Sequence, residues 1–137
     1  QIVNLFLDIQ KRLGVAMLFI SHDLAVIRHL SDRIVVMYAG KIMEIGNTDD
    51  ICDSPIHPYT QALLSASSFR EDSDEEREKL KLFRREEVPQ TGCPFSTRCP
   101  HAIALCREEE IKIESYSSNR ESSCLRAKEI FPKLTQK

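Results

Sequence analysis

Six consecutive apolar residues, Val15, Ala16, Met17, Leu18, Phe19 and Ile20, interrupt an otherwise mixed sequence. The run is too short for a comfortable helix and lacks the alternation of a half-exposed strand. It therefore predicts a strand covered on both faces, as in a parallel α/β sheet. Upstream, Ile2, Leu5, Phe6, Ile9 and Leu13 recur at helical spacing, Lys11 and Arg12 fall in the last turn, and Gly14 supplies the stop. Downstream, Ser21, His22 and Asp23 lead into Leu24, Ile27 and Leu30, a short helical pattern ending before Asp32. Helix, buried strand and helix in that order make a piece of a doubly wound α/β fold.

Ile34 to Tyr38 and Lys41 to Ile45 are β-rich stretches around Ala39-Gly40, which predicts a hairpin closed by Gly46. Asn47 and Thr48 can cap a short helix, and Pro58 suits the first position of a helix carrying Tyr59, Ala62, Leu63 and Ala66. From Arg70 to Lys81 nearly every residue is charged, as expected of a solvated helix or linker. The chain thus divides into an α/β part (1–68), a charged connection (69–81) and a cysteine-rich α+β tail (82–137).

The apolar content, 42% of 137 residues, suffices for a modest core. A net charge of −2 offers no basic excess for a run of phosphates, so nucleic acid is not an expected partner. No apolar run approaches the roughly 20 residues of a membrane span, so membrane association is expected to come through a protein partner. The pattern enters directly on a helix at Gln1, and the chain is read as a fragment. It contains no G-x-x-x-x-G-K-[ST] loop to cradle phosphates.

His22 follows a predicted buried strand, and open α/β sheets bind ligands outside the carboxyl ends of their strands. The plain alternative is a polar loop residue beside the helix caps Ser21 or Asp23. The stretch LFISHDLAVIRHLSDRIVVMYAGKIMEIG resembles ABC-type ATPase subunits after their Walker B strand. The resemblance implies that His22 is the switch histidine that senses the γ-phosphate of ATP, with Ser21 and Asp23 as local supports. PIHPYTQALLSA, from Pro55 to Ala66, resembles the extension of the oligopeptide, dipeptide and nickel importers. For His57 and Tyr59 themselves, packing and helix initiation are the expected roles.

Five cysteines are many for a chain of this size, and in a reducing compartment their clustering favours metal over disulfides. Cys93, Cys99, Cys106 and Cys124 are spaced C-x5-C-x6-C-x17-C, a poor match to the close pairs of structural zinc sites. Four thiolates on wider loops suit an iron–sulfur cluster, and Pro94 and Pro100 hold the preceding cysteines extended. A cluster ranks first, zinc second and disulfides third. QTGCPFSTRCPHAIALC, with Cys124 beyond it, resembles the importer tail in which four such cysteines ligate a [4Fe–4S] cluster in some members. Arg120-Glu121-Ser122-Ser123 departs from that pattern, in which a His often precedes the last Cys. His101 could replace a thiolate but is read as starting the helix that carries Ala102, Leu105 and Cys106, and Cys52 as a small buried hydrophobe.

The resemblance as a whole implies the C-terminal part of an ABC-type ATPase that powers peptide import. Its cofactors would be ATP and Mg, and its partners permease subunits in the membrane, a second ATP-binding subunit and, indirectly, a solute-binding protein. Its expected place is the cytoplasmic face of a bacterial inner membrane. The alternative function is a non-catalytic metal-binding module for regulation or subunit contact. An electron-transfer protein ranks below both.

Overall fold

The structure, a computed structural model, describes residues 2–67 and 88–135. The charged connection expected at 69–81 lies outside the described residues. Helix α1 (Ile2–Leu13) ends as its sequence predicts, with Gly14 in the left-handed region (φ 62°) and its N–H donating to the Gln10 carbonyl at 2.9 Å. Helix α2 (Leu24–Leu30) is capped by Asp23, whose carboxylate accepts from the Ala25 and Val26 N–H groups at 3.0 and 3.2 Å. Leu24, Ile27 and Leu30 face inward from it.

The hairpin forms as its turn residues dictate. Strands β1 (Arg33–Tyr38) and β2 (Lys41–Asn47) pair antiparallel through Ala39 and Gly40, both at positive φ (48° and 78°). Positive φ at both positions of a two-residue loop matches the right-handed twist of the flanking strands. Ile34 and Val36 point to the core while Val35 and Met37 point out. Helix α3 (Thr48–Asp53) follows, anchored by the Thr48 hydroxyl donating to the Ser31 carbonyl rather than by an Asn47 side-chain cap. Helix α4 (Pro58–Ser67) has proline in its first position, as expected. The cysteine-bearing stretch contributes α5 (Leu105–Glu108), β3 (Glu114–Ser117), β4 (Arg120–Ser122), α6 (Ala127–Ile130) and α7 (Pro132–Thr135).

The four described strands make one antiparallel sheet in the order β1-β2-β4-β3. β2 is central, and its neighbours Met43 and Glu44 are both fully buried on opposite faces. Ile27, Ile34, Val36, Met43, Ile51 and Phe95 lie within the main core. A smaller cluster joins Ile56, Tyr116 and Ala127, with Cys124 packed against it.

One expectation is corrected. Val15–Ile20 is not a strand, and no parallel strand occurs among the described residues. Leu18 and Ile20 are 89% and 94% exposed, and only Met17 and Phe19 are partly covered, Phe19 meeting Phe6 edge to face at 5.4 Å. The pattern records a preference for burial, but a strand also needs a partner edge. The described strands pair with one another, and none of them pairs with this segment.

Candidate functional site

His22 stands exposed in the bend between the apolar segment and α2. Its neighbours shape that bend: the Asp23 N–H donates to Ser21 Oγ at 3.0 Å, and the Asp23 carboxylate caps α2. Ser21 and Asp23 therefore hold each other and the helix, and leave the imidazole pointing free of the core.

The cysteine loops are built from short backbone bridges. The Cys93 N–H donates to the Cys106 carbonyl at 2.8 Å, the Cys99 N–H to the Phe95 carbonyl at 2.9 Å, and the Ala102 N–H to the Cys99 carbonyl at 3.1 Å. Phe95 fastens the first loop to the core. Its ring is 1% exposed and lies 5.3 Å from that of Tyr59 and 5.9 Å from that of Tyr38. Gly92 makes the Cys93–Cys106 bridge possible, because at φ 74° a Cβ there would lie 2.4 Å from the Cys106 oxygen.

Cys93, Cys99, Cys106 and Cys124 line one cavity of about 20 Å³, and all four thiols are free. Cys52 does not line it; that residue, within α3, is partly buried against the main core. Burial, reinforced by the neighbouring Cys99 and Cys106, pushes the Cys93 thiol up to about 11. Burial, with Cys99, Cys93 and Cys106 nearby, takes Cys124 to about 12, and Cys99 is raised chiefly by burial. Among the described residues no three His, Cys, Asp or Glu side chains are grouped so as to hold an ion, so the expected iron or zinc site is not preformed. Burial favours the protonated thiol at Cys93, Cys99 and Cys124, and a metal must displace those protons to bind. The donor set nonetheless fits a thiophilic centre. A cavity of about 20 Å³ holds about one water-sized sphere, so anything larger requires the loops to part.

His101 lines the cavity from an exposed turn. It does not begin the helix of Cys106, which starts only at Leu105; the Ala102 N–H is instead taken by the Cys99 carbonyl. Its carbonyl accepts from Arg126 Nη1 at 2.6 Å, and Arg126, also on the cavity wall, pairs with Glu129 at 2.6 Å. Arg126 was not legible as a site residue, since nothing separates it in sequence from an ordinary surface arginine.

His57 is the second residue that sequence pattern underrated. It initiates α4 as expected, but through its side chain: Nδ1 accepts the Tyr59 N–H at 3.0 Å while its carbonyl accepts from the Gln61 N–H at 3.1 Å. It is 1% exposed and burial lowers its pKa to about 4. It lines the cysteine cavity, and among the described residues its Nε2 has no hydrogen-bond partner. Its backbone is fixed by Glu44, whose carboxylate oxygens accept the Ile56 and His57 N–H groups at 2.8 and 3.0 Å.

Residues 43–106 match the family model described as the oligopeptide/dipeptide transporter C-terminal region. Over that stretch the chain is similar to this C-terminal region. A Brucella ovis protein named for ATP binding in peptide import is 44% identical over 128 residues, covering 92% of this chain and 40% of that protein. The oligopeptide transport ATP-binding proteins OppF of Salmonella typhimurium and Escherichia coli are 40% and 39% identical over 130 residues, each match covering 92% of this chain and 39% of the relative. The chain thus spans about two fifths of the length of these relatives.

Proposed function

We propose that the chain forms part of a subunit that hydrolyses ATP to drive peptide import, with His22 at the nucleotide and the four tail cysteines around an iron–sulfur cluster. The observation that carries the reading is the similarity to peptide-import ATP-binding proteins along 92% of the chain. The phosphate loop and the ABC signature are not in this sequence, so ATP would be held by other parts of a complete subunit. His22 would meet the γ-phosphate and help position the attacking water, where a preorganised polar group acts on charge as it develops. The subunit would dimerise with a second ATP-binding subunit and work on membrane permeases, at the cytoplasmic face of a bacterial inner membrane.

The cysteine cavity supports a [4Fe–4S] centre through its donor set of Cys93, Cys99, Cys106 and Cys124. When bound, such a centre would cross-link three loops and could accept an electron. The four cysteines share one cavity wall, and the Cys93–Cys106 backbone bridge fixes the approach of those two. Zinc is the competing occupant.

The experiment for the nucleotide role is His22→Ala in a complete, transport-competent subunit. ATP affinity should persist while turnover falls, since the group matters most in the transition state. An unchanged turnover number removes His22 from the mechanism.

A further inference from the structure

His57 has one ring nitrogen hydrogen-bonded and one that is buried without a partner among the described residues. Nδ1 accepts the Tyr59 N–H, so it carries no proton and the imidazole is neutral. The single ring proton must then sit on Nε2, which is buried, has no partner among the described residues, and belongs to a side chain on the wall of the cysteine cavity. A buried donor left unpaired costs roughly 1–3 kcal/mol, so its position calls for an acceptor.

The same tautomer excludes His57 as a metal ligand. Ligation through Nε2 would move the ring proton to Nδ1, where the Tyr59 N–H already points. The cavity wall offers thiol sulfur from four cysteines, and thiol sulfur becomes a strong acceptor once ionised.

We propose that His57 is a positioning residue of the cysteine centre, donating its Nε2–H to a sulfur of the bound cluster and so stabilising the more negative, reduced state. This rests on the reading of the four cysteines as cluster ligands. It also gives the His-Pro-Tyr segment a chemical link to the tail: the side chain that starts α4 also touches the centre, while Glu44 locks its backbone.

Two substitutions separate this role from helix capping. In His57→Asn the amide oxygen replaces Nδ1 as the cap, but no donor reaches the Nε2 position. In His57→Gln the amide nitrogen can occupy that position, while the short cap is lost. The full chain, assembled anaerobically with iron and sulfide, is titrated with dithionite under an electrochemical mediator.

The expected result is a fall in the reduction potential of His57→Asn equal to about tenfold in the reduction equilibrium, or about 59 mV for one electron. His57→Gln should return towards the wild type. A potential unchanged in His57→Asn overturns the donor role. Wild-type chain that takes up iron and sulfide keeps the cluster reading intact whatever the variants do; wild-type chain that takes up neither overturns both.

If His57→Asn fails to fold, the wild type decides. Pulsed electron paramagnetic resonance of the reduced chain labelled with 15N-histidine should show a weak nitrogen coupling that persists in His101→Asn. Loss of all histidine coupling in that variant overturns the proposal.

Discussion

Arg120 and Glu44, 76 positions apart, meet as a buried ion pair, with Nη2 3.4 Å from Oε1. Arg120 Nη2 also donates to the Ser54 carbonyl and, at 3.4 Å, to the Asp50 carbonyl. Glu44 in turn holds the Ile56 and His57 N–H groups. Three segments are therefore tied at one carboxylate: the central strand, the approach to α4, and β4.

Arg120→Ala should leave Glu44 buried without its cation. Breaking such a pair costs about 3–5 kcal/mol, whereas replacing both partners with apolar residues costs much less. Urea unfolding of Arg120→Ala, and of the double variant Arg120→Met with Glu44→Met, measures the difference. A single variant within 1 kcal/mol of wild type, by the ~1 kcal/mol scale of exposed pairs, would show that the pair is not the tie described here.

Gly92→Ala tests the geometry of the cysteine loops. The methyl would be strained at φ 74° and would lie 2.4 Å from the Cys106 carbonyl oxygen. Strain of this kind costs on the order of 1–3 kcal/mol before the clash is counted. The amide of Cys93, protected by its bond to Cys106, should exchange hydrogen much faster in the variant. Unaltered protection at Cys93 would contradict the bridge.

The metal-free chain should lose stability in acid through His57. Its folded pKa is depressed to about 4 from 6.5, so its contribution is complete above 6.5 and is lost as pH falls towards 4. At 1.36 kcal/mol per unit the loss approaches about 3 kcal/mol. Glu44 acts in the opposite sense. Burial raises it above 4.5, so its contribution is present below that value and lost as pH rises. The difference between wild type and His57→Asn isolates the histidine, and urea midpoints at pH 7.5 and 4.5 should converge in acid. Parallel acid losses in the two proteins would refute the assignment.

Local rules were enough for the hairpin, because Ala39-Gly40 between β-branched runs specifies both strands and turn. They were enough for the helix stop at Gly14 and the helix cap at Asp23. Val15–Ile20 misled because an apolar run states what a segment would bury, not what pairs with it. Glu44 and Arg120 were illegible for a different reason. Charged residues read as surface, and only the antiparallel contact of β2 with β4 brings these two inside. His57 was underrated because its place at the start of a helix is visible in sequence, whereas its burial on the wall of the cysteine cavity is a three-dimensional fact.

The central claim is that Cys93, Cys99, Cys106 and Cys124 act together at one centre. Iron, acid-labile sulfide and zinc measured on the chain purified without oxygen test it directly. The account predicts about four iron and four sulfide per chain, as a [4Fe–4S] centre implies, kept in Cys52→Ser and lost in Cys99→Ser or Cys106→Ser. Stoichiometric zinc without iron, or iron content untouched by Cys99→Ser and Cys106→Ser, would contradict it.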